Sequence, residues 1–282
     1  MINKRDNRLR GVVFFIIVPA IVAVFYIASS KRKVGNVGIS NIITIPTLFS
    51  KKQIFLSCSQ SAEDLLLSSI FSDVSRGFYI DVGANHPTRW SDTKIFYERG
   101  WSGINIEPLD MYCKALKQQR PRDVNVCGAL GERHGEMILY QHDALSTLKK
   151  EIADSLESSK NFTFPPKLVA VYTLTEICER YCSENTVINF LKIDVEGFEY
   201  EVLKGTDFSR WKPQVIQLEG IEPASKRQTY LDFEPLLFEA GYEFVYEHWL
   251  DRWYIHHNYS YLKRNLRRIE DLMKQYTVVK VP

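Results

Sequence analysis

The residues predict an α/β fold, a largely parallel sheet layered with helices, behind one N-terminal helix that crosses a membrane. Three features of the 282-residue chain lead there. Short apolar runs alternate with stretches of helical period from Phe78 to His256, the pattern of strands joined by crossover helices. Four of those runs end in or beside an acid: Asp81, Glu107, Asp194 and Glu219. Residues 11–30 hold no charge at all.

Taken in order, residues 1–10 are a basic tail. Gly11–Ser30 reads GVVFFIIVPAIVAVFYIASS. At about 1.5 Å per residue a helix of that length spans roughly 30 Å, the thickness of the hydrocarbon core. Pro19 would kink such a helix without excluding it from lipid, and Tyr26 suits the interface. A cleaved leader ending at Ala28-Ser29-Ser30 fits less well, because its apolar run would be about 7–15 residues. A buried core helix would not be bracketed by basic clusters. The expectation is a single-pass anchor and a membrane location. Basic residues flank both ends, so the side of the membrane stays open. Residues 31–56 read as a linker.

The charge is unevenly distributed. Residues 1–33 carry seven Lys/Arg against one Asp, whereas the remainder carries 29 basic against 33 acidic residues. A mildly acidic body argues against nucleic acid as a partner. With 45% hydrophobic and 25% charged residues, the composition excludes a wholly disordered chain, a collagen and a disulfide miniprotein. Five cysteines leave at least one unpaired within a monomer. Cys178 and Cys182 lack a nearby His to complete a zinc set and read as core or surface thiols. The sequons at Asn161 and Asn258 matter only if the body faces a lumen.

The body opens with a helix in SQSAEDLLLSSIFSDV, where Glu63 and Asp64 suit the positive end of the helix dipole. Phe78–Val82 is a buried strand. Asp92–Arg99 is a helix, with Ser91 as N-cap and Gly100 past its end. Gly103–Glu107 is a strand, Asp110–Gln119 a helix, Val124–Leu130 a strand and Gly135–Gln141 an edge strand. Residues 142–167 are polar, contain Pro165-Pro166 and read as a long loop or lid. Leu174–Cys182 is helical, Ile188–Val195 a strand, and Tyr200–Lys204 begins a short helix. Val215–Glu219 is a strand and Phe233–Ala240 a helix capped by Gly241. Tyr242–Glu247 and Trp253–His256 form an antiparallel pair, and Leu262–Gln275 a basic closing helix.

In such sheets ligands bind at the carboxyl ends of the strands, near a topological switch point. The first strand ends in Asp81-Val82-Gly83-Ala84-Asn85, a glycine where the chain turns tightly against a ligand. Glu107 ends the second strand, where an acid can accept hydrogen bonds from both hydroxyls of a ribose. Asp194-Val195-Glu196-Gly197 follows the fourth strand and Glu219-Gly220 closes the fifth. An acidic rim suits a cationic ligand such as a sulfonium, and proton abstraction. Plain turn, helix-capping and solvated strand-end roles are the structural alternatives for these acids. His256-His257 reads as a surface pair rather than a metal site, and WLDRWYIHH as core rather than a sugar platform. The loop GANHPT has one glycine and a proline, unlike the G-x-G-x-x-G that receives a dinucleotide pyrophosphate. S-adenosylmethionine carries no phosphate and needs one glycine there.

The run GFYIDVGANHPTRWSDTKIFYERGWSGINIEP, with SQSAEDLLL upstream and FLKIDVEGFEYEVLKG downstream, resembles the FkbM-type family of S-adenosylmethionine-dependent methyltransferases. The ending GYEFVYEHWLDRWYI resembles the last hairpin of that family's sheet. The resemblance covers residues 57–257 and leaves 258–282 as a basic C-terminal helix and tail. It implies a Rossmann-like, class I methyltransferase fold with seven strands, and methylation of a hydroxyl oxygen on a carbohydrate or glycolipid acceptor. By matching position it implies Asp81, Gly83, Asn85 and Glu107 as cofactor-binding residues, with Asp194 and Glu196 beside the transferred methyl and either as base. Glu219 and His86 are the next candidates for the base. Asp194 could also hold a divalent cation, although no second set of ligands is evident in the sequence. Two other classes compete: a membrane-tethered interaction protein that keeps the fold without catalysis, and a dehydrogenase, which the single-glycine loop disfavours.

Overall fold

The computed structural model describes residues 12–18, 21–27, 42–44, 53–266 and 277–280. The chain divides into two units, residues 1–37 and 38–282. In the first, strands β1 (Val12–Val18) and β2 (Ile21–Ile27) pair antiparallel, with Val12 opposite Ile27 and Val18 opposite Ile21. This corrects the helix expected over residues 11–30. All seven residues of β1 and six of the seven in β2 are β-branched or aromatic, types that suit a pleated surface and are stiff at χ1 in a helix. Pro19 stands between the strands in sequence, and proline removes a helical N–H. Among the described residues no helix is long and apolar enough to cross a membrane. The single-pass anchor, the membrane as a partner and the membrane location are corrected with it. The basic tail 1–10 and residues 267–276 of the expected closing helix lie outside the described residues.

In chain order the second unit runs β3 (Ile42–Thr44), β4 (Gln53–Ser57), α1 (Glu63–Ile70), β5 (Phe78–Val82), α2 (Lys94–Glu98), β6 (Ser102–Glu107), α3 (Asp110–Gln119), β7 (Val124–Cys127), β8 (Ala129–Leu130), β9 (Gly135–Tyr140), α4 (Lys150–Lys160), β10 (Pro166–Tyr172), α5 (Leu174–Tyr181), β11 (Phe190–Ile193), α6 (Glu199–Lys204), β12 (Val215–Glu219), α7 (Tyr230–Glu239), β13 (Tyr242–His248), β14 (Asp251–His256) and β15 (Thr277–Lys280). The central sheet has seven strands in the order β13-β14-β12-β11-β5-β6-β7. β5, β6, β7, β11 and β12 are parallel, and β14 runs antiparallel to both β12 and β13. The chain moves outward from β5 through β6 to β7, then returns to lay β11 against the other side of β5. That reversal is the switch point at which a crevice opens beyond the strand ends. The mostly parallel, Rossmann-like sheet is the one expected.

Some elements depart from expectation. The segment 142–167 is not all loop, because α4 lies within it and buries Ile152, Ala153 and Leu156 with Phe164. Its apolar positions at i and i+4 are few, so the polar majority hides an amphipathic helix. β9 joins β10 and β8 in a second, three-stranded sheet, and the expected linker contains β3 and β4, with β15 alongside β4.

The two faces of the central sheet are packed differently. Ile80, Ile104, Leu191 and Ile216 face Ile177, Val202 and Leu237 of α5, α6 and α7. Tyr79, Phe190, Val215 and Trp253 face Leu66 and Ile70 of α1 and Phe96 of α2. Side chains alternate along a strand, so Asp81, Lys192 and Gln217 lie on this second face. They sit in one register: Asn105 opposite Asp81, Asp81 opposite Lys192, and Lys192 opposite Gln217. A buried parallel sheet is normally apolar through its middle; here a polar row crosses four strands.

Cys113 on α3 and Cys127 on β7 form a disulfide, while Cys58, Cys178 and Cys182 are free. The bridge closes a loop of 14 residues and ties the outer strand to its helix. For a loop of that size the chain-entropy account gives about 3 kcal/mol. Urea unfolding of the full chain with and without reductant should therefore differ by about that amount. The Cys113→Ser, Cys127→Ser double variant should match the reduced protein, and equal midpoints in all three samples would remove the bridge from the stability of the fold.

Candidate functional site

The site begins where β5 stops. Gly83 turns the chain with φ +76°, and a Cβ placed there would lie 1.9 Å from the Asp194 carbonyl oxygen. Only glycine accepts both the backbone angle and the close approach. The Gly83 and Ala84 N–H groups donate to the Ile106 carbonyl at 3.0 and 3.1 Å, so the turn is bound to β6. From the other side, the buried Lys192 ammonium donates to the Gly83 carbonyl at 2.9 Å. Lys192 also lies 3.5 Å from Asp81 and 3.4 Å from Asp194. Burial alone would lower its pKa, but Asp194, Asp81, Asp92 and Asp251 around it hold the ammonium above its ordinary range.

Glu107 ends β6 with 3% exposure. Its Oε2 accepts the Asn85 N–H and its Oε1 the Leu109 N–H, both at 2.7 Å. Burial pushes this carboxyl up to about 7, against the lowering effect of those two N–H groups. Each oxygen keeps a second lone pair. Asn85 is itself left-handed, at φ +49°, and its Nδ2 donates to the Asp143 carbonyl at 3.2 Å. A cleft lies over these residues. Gly83, Asn85, Glu107, Asp194 and Glu196 line it, with apolar walls that include Ile106, Leu109, Leu130 and Leu148.

A second cavity shares Gln60, Trp90, Ala144, Lys192, Asp194 and Glu196 with the first. Its remaining lining brings in four acids, Glu63, Asp92, Glu219 and Asp251, with Lys160 and Lys226 also on its wall. Glu196 is left-handed at φ +55°, and its carbonyl accepts the Thr147 hydroxyl at 2.9 Å. Burial, then the charges of Asp194 and Glu199, hold its carboxyl well above the usual range. Glu219 is raised in the same sense by burial and by Glu196 and Asp194. Below them, Gln217 Nε2 donates to Asp92 at 2.9 Å and Asp251 at 2.7 Å. Burial pushes Asp251 up to about 8.

The structure thus brings Gly83, Asn85, Glu107, Asp194 and Glu196 to one cleft and leaves Asp81 beneath it. Asp81 is 1% exposed and accepts the Thr93 hydroxyl at 2.7 Å. Arg120 reinforces that layer, donating to Thr93 Oγ1 at 2.7 Å and to the Pro87 carbonyl at 2.6 Å. His86 is a loop cap: its Nδ1 faces the N–H groups of Thr88 at 3.2 Å and Arg89 at 3.1 Å. Burial and nearby Arg89 lower its pKa. Glu219 is 7% exposed rather than a solvated strand end. His256 is likewise buried, at 3%. Trp253 is core, as expected, but Trp249 is 71% exposed on the second cavity.

Several site residues escape the sequence reading. Lys192 stands two residues before Asp194 in an otherwise apolar strand, and that lone lysine is the signal. Asp143 takes the Arg89 guanidinium on both oxygens, at 3.0 and 2.9 Å, together with the Tyr112 hydroxyl. This pins one end of the 142–147 segment over the first cleft. No local pattern announces that contact, because 54 residues separate Arg89 from Asp143.

The family profile described as Methyltransferase FkbM domain matches residues 81–244, a span that contains every strand end of the site. No curated protein matches the chain.

Lys192→Met should lower the unfolding free energy by about 3–5 kcal/mol, because removing one partner of a buried ion pair strands the other. Urea denaturation at neutral pH measures this. An unchanged midpoint would show that Asp81 and Asp194 do not depend on the ammonium.

Proposed function

The chain belongs to the FkbM methyltransferase family, and from that premise we propose that it transfers a methyl group from S-adenosylmethionine to a hydroxyl oxygen of a carbohydrate acceptor. The observation that carries this reading is the junction of two cavities at Asp194 and Glu196. One cavity is lined by the Gly83 turn, Glu107 and apolar side chains; the other holds several acids and opens past exposed tryptophans.

The residues of the first cleft fit the cofactor. The Gly83 turn leaves no room for a Cβ, and the free lone pairs of Glu107 suit a pair of ribose hydroxyls. Ile106, Leu109 and Leu130 supply apolar walls for a base. Gly83, Asn85 and Glu107 would hold the nucleoside, and Asp81 would act from below through Thr93 and Lys192. S-adenosylmethionine, when bound, supplies an electrophilic methyl. The chain's own task is to align the acceptor and to take its proton. Alignment supplies much of the rate when the donor is already activated. Glu196 is our choice for the base: it stands where the two cavities meet, and burial with the neighbouring acids raises its pKa, which makes its ionised form a stronger proton acceptor than an ordinary carboxylate. Asp194 is the alternative. Trp90 and Trp249 line the acceptor side, are 45% and 71% exposed, and both adopt positive φ. Broad aromatic residues held in strained backbone at a cavity mouth suit stacking against a sugar ring.

A non-catalytic protein on the same fold would bind the cofactor without turnover. Methyl transfer from labelled S-adenosylmethionine to a panel of free sugars and glycosides, read by mass spectrometry with the full chain, separates the two. Glu196→Gln should keep cofactor affinity near wild type and cut turnover by about 10²–10⁴-fold. Full turnover in Glu196→Gln, with Asp194→Asn inactive, would move the base to Asp194.

Affinity should also depend on pH through Glu107. Its carboxyl is raised from 4.5 to about 7, so its contribution to folding stability is fully present below 4.5 and is lost as pH rises through about 7. Cofactor binding runs the other way, because hydroxyl donors favour the ionised form. Calorimetric affinity for S-adenosylmethionine should tighten between pH 6 and 8. Glu107→Gln should flatten that rise and weaken binding at pH 8 by about 1.5–3 kcal/mol. A variant with wild-type affinity and pH profile would overturn the ribose role.

A further inference from the structure

We propose that Asp194, Glu196 and Glu219 form a binding site for a divalent cation of the Mg²⁺, Mn²⁺ or Ca²⁺ class. One carboxylate oxygen from each lies within 4.8 Å of the others. Oxygens bound to one ion at about 2.0–2.6 Å can stand no more than about 5 Å apart, so the three fit a single coordination sphere. The donors come from separate places that the fold makes rigid. Asp194 and Glu196 leave the end of β11, and Glu219 ends β12 beside it.

A cluster of acids alone does not make a site; the state of Glu219 adds an independent observation. Its side chain is buried, with 7% exposure, yet its Oε2 has no hydrogen-bond partner among the described residues while it lines the second cavity. A buried carboxylate oxygen without a donor is costly. The strand end at Glu107 solves the same problem with donors, one backbone N–H group to each carboxylate oxygen. Glu219 faces two more carboxylates instead. Glu196 Oε2 is also without a partner. The buried cation nearby, Lys192, is committed to Gly83, Asp81 and Asp194. Lys160 and Lys226, which also line the cavity, are exposed.

An all-oxygen, all-carboxylate donor set selects hard cations over zinc or copper. Three protein ligands leave further positions of a six-coordinate ion open to water. They are equally open to the acceptor's hydroxyl oxygen, which the ion would hold at the junction of the two cavities. That last role rests on the methyl-transfer reading; the cation site does not.

The test is titration of the metal-stripped full chain with Mn²⁺, free ion being read by electron paramagnetic resonance. One Mn²⁺ should bind per chain, compete with Mg²⁺, and raise the melting temperature. Glu219→Gln should bind at least tenfold more weakly and lose the Mn²⁺-dependent rise, while melting no lower than wild type in metal-free buffer. Asp194→Asn alters a side chain that is 41% exposed, so it serves as the second variant and should weaken binding likewise. Absence of a stoichiometric site in the wild type, or unchanged Mn²⁺ affinity in either folded variant, overturns the proposal. S-adenosylmethionine affinity measured without Mn²⁺ keeps the two readings apart, because a chain that binds the nucleoside and no Mn²⁺ loses the cation site and retains the methyltransferase reading.

Discussion

The buried ammonium of Lys192 is the interaction on which the rest of the site depends. It sits in the middle of the sheet, opposite Asp81 on one side and Gln217 on the other. Its three contacts reach the end of β5, the turn at Gly83 and the start of the acidic segment at Asp194. A lysine in this position costs desolvation, and attraction to carboxylates on two strands offsets that cost. The geometry follows from it. The Gly83 carbonyl is held toward β11, so the chain leaves β5 in the left-handed turn that only glycine can make. Asp194 is held beside the crevice. Thr93 and Arg120 brace Asp81 from the opposite direction.

Around that ammonium the interior carries more acid than base. Glu63, Asp92, Glu196, Glu219 and Asp251 all have carboxyls raised first by burial and then by nearby carboxylates. A fold selected for stability alone would place apolar residues in this row, as it does on the opposite face, where Ile80, Leu191 and Ile216 belong to one hydrophobic cluster. Crowded acids at one end of a sheet are a cost that makes sense when a ligand completes them. The cofactor cleft and the acidic cavity meet where Asp194 and Glu196 belong to both. The strained backbone of Glu196 and Trp90 falls at the same junction, and that of Trp249 on the wall of the acidic cavity.

Much of the sheet is legible in sequence because each strand is a local signal. FYIDV, GINIE and VIQLE are bounded by glycines, polar residues or turns, and β5, β6 and β12 appear within a residue of the expected places. Gly83 and Glu107 are legible for the same reason: a strand end followed by a turn is a local event. What stays hidden is non-local. The polar row Asn105-Asp81-Lys192-Gln217 exists only after four strands find their register. The Cys113–Cys127 bridge needs α3 folded back on β7, and the Asp143 clamp needs a residue 54 positions away. The apolar segment at residues 11–30 shows the opposite failure. Its length and lack of charge point to a spanning helix, but length does not distinguish a helix from two strands when nearly every residue is β-branched or aromatic.

The central claim is that Glu107 and the Gly83 turn receive a nucleoside whose reactive end points toward Asp194 and Glu196. A crystal structure of the full chain with S-adenosylhomocysteine tests it most directly. The account requires both ribose hydroxyls within hydrogen-bond distance of Glu107 and the sulfur facing the Asp194–Glu196 side of the cleft. Density for the ligand outside this cleft, or a ribose that leaves Glu107 with only its two backbone N–H partners, would contradict it.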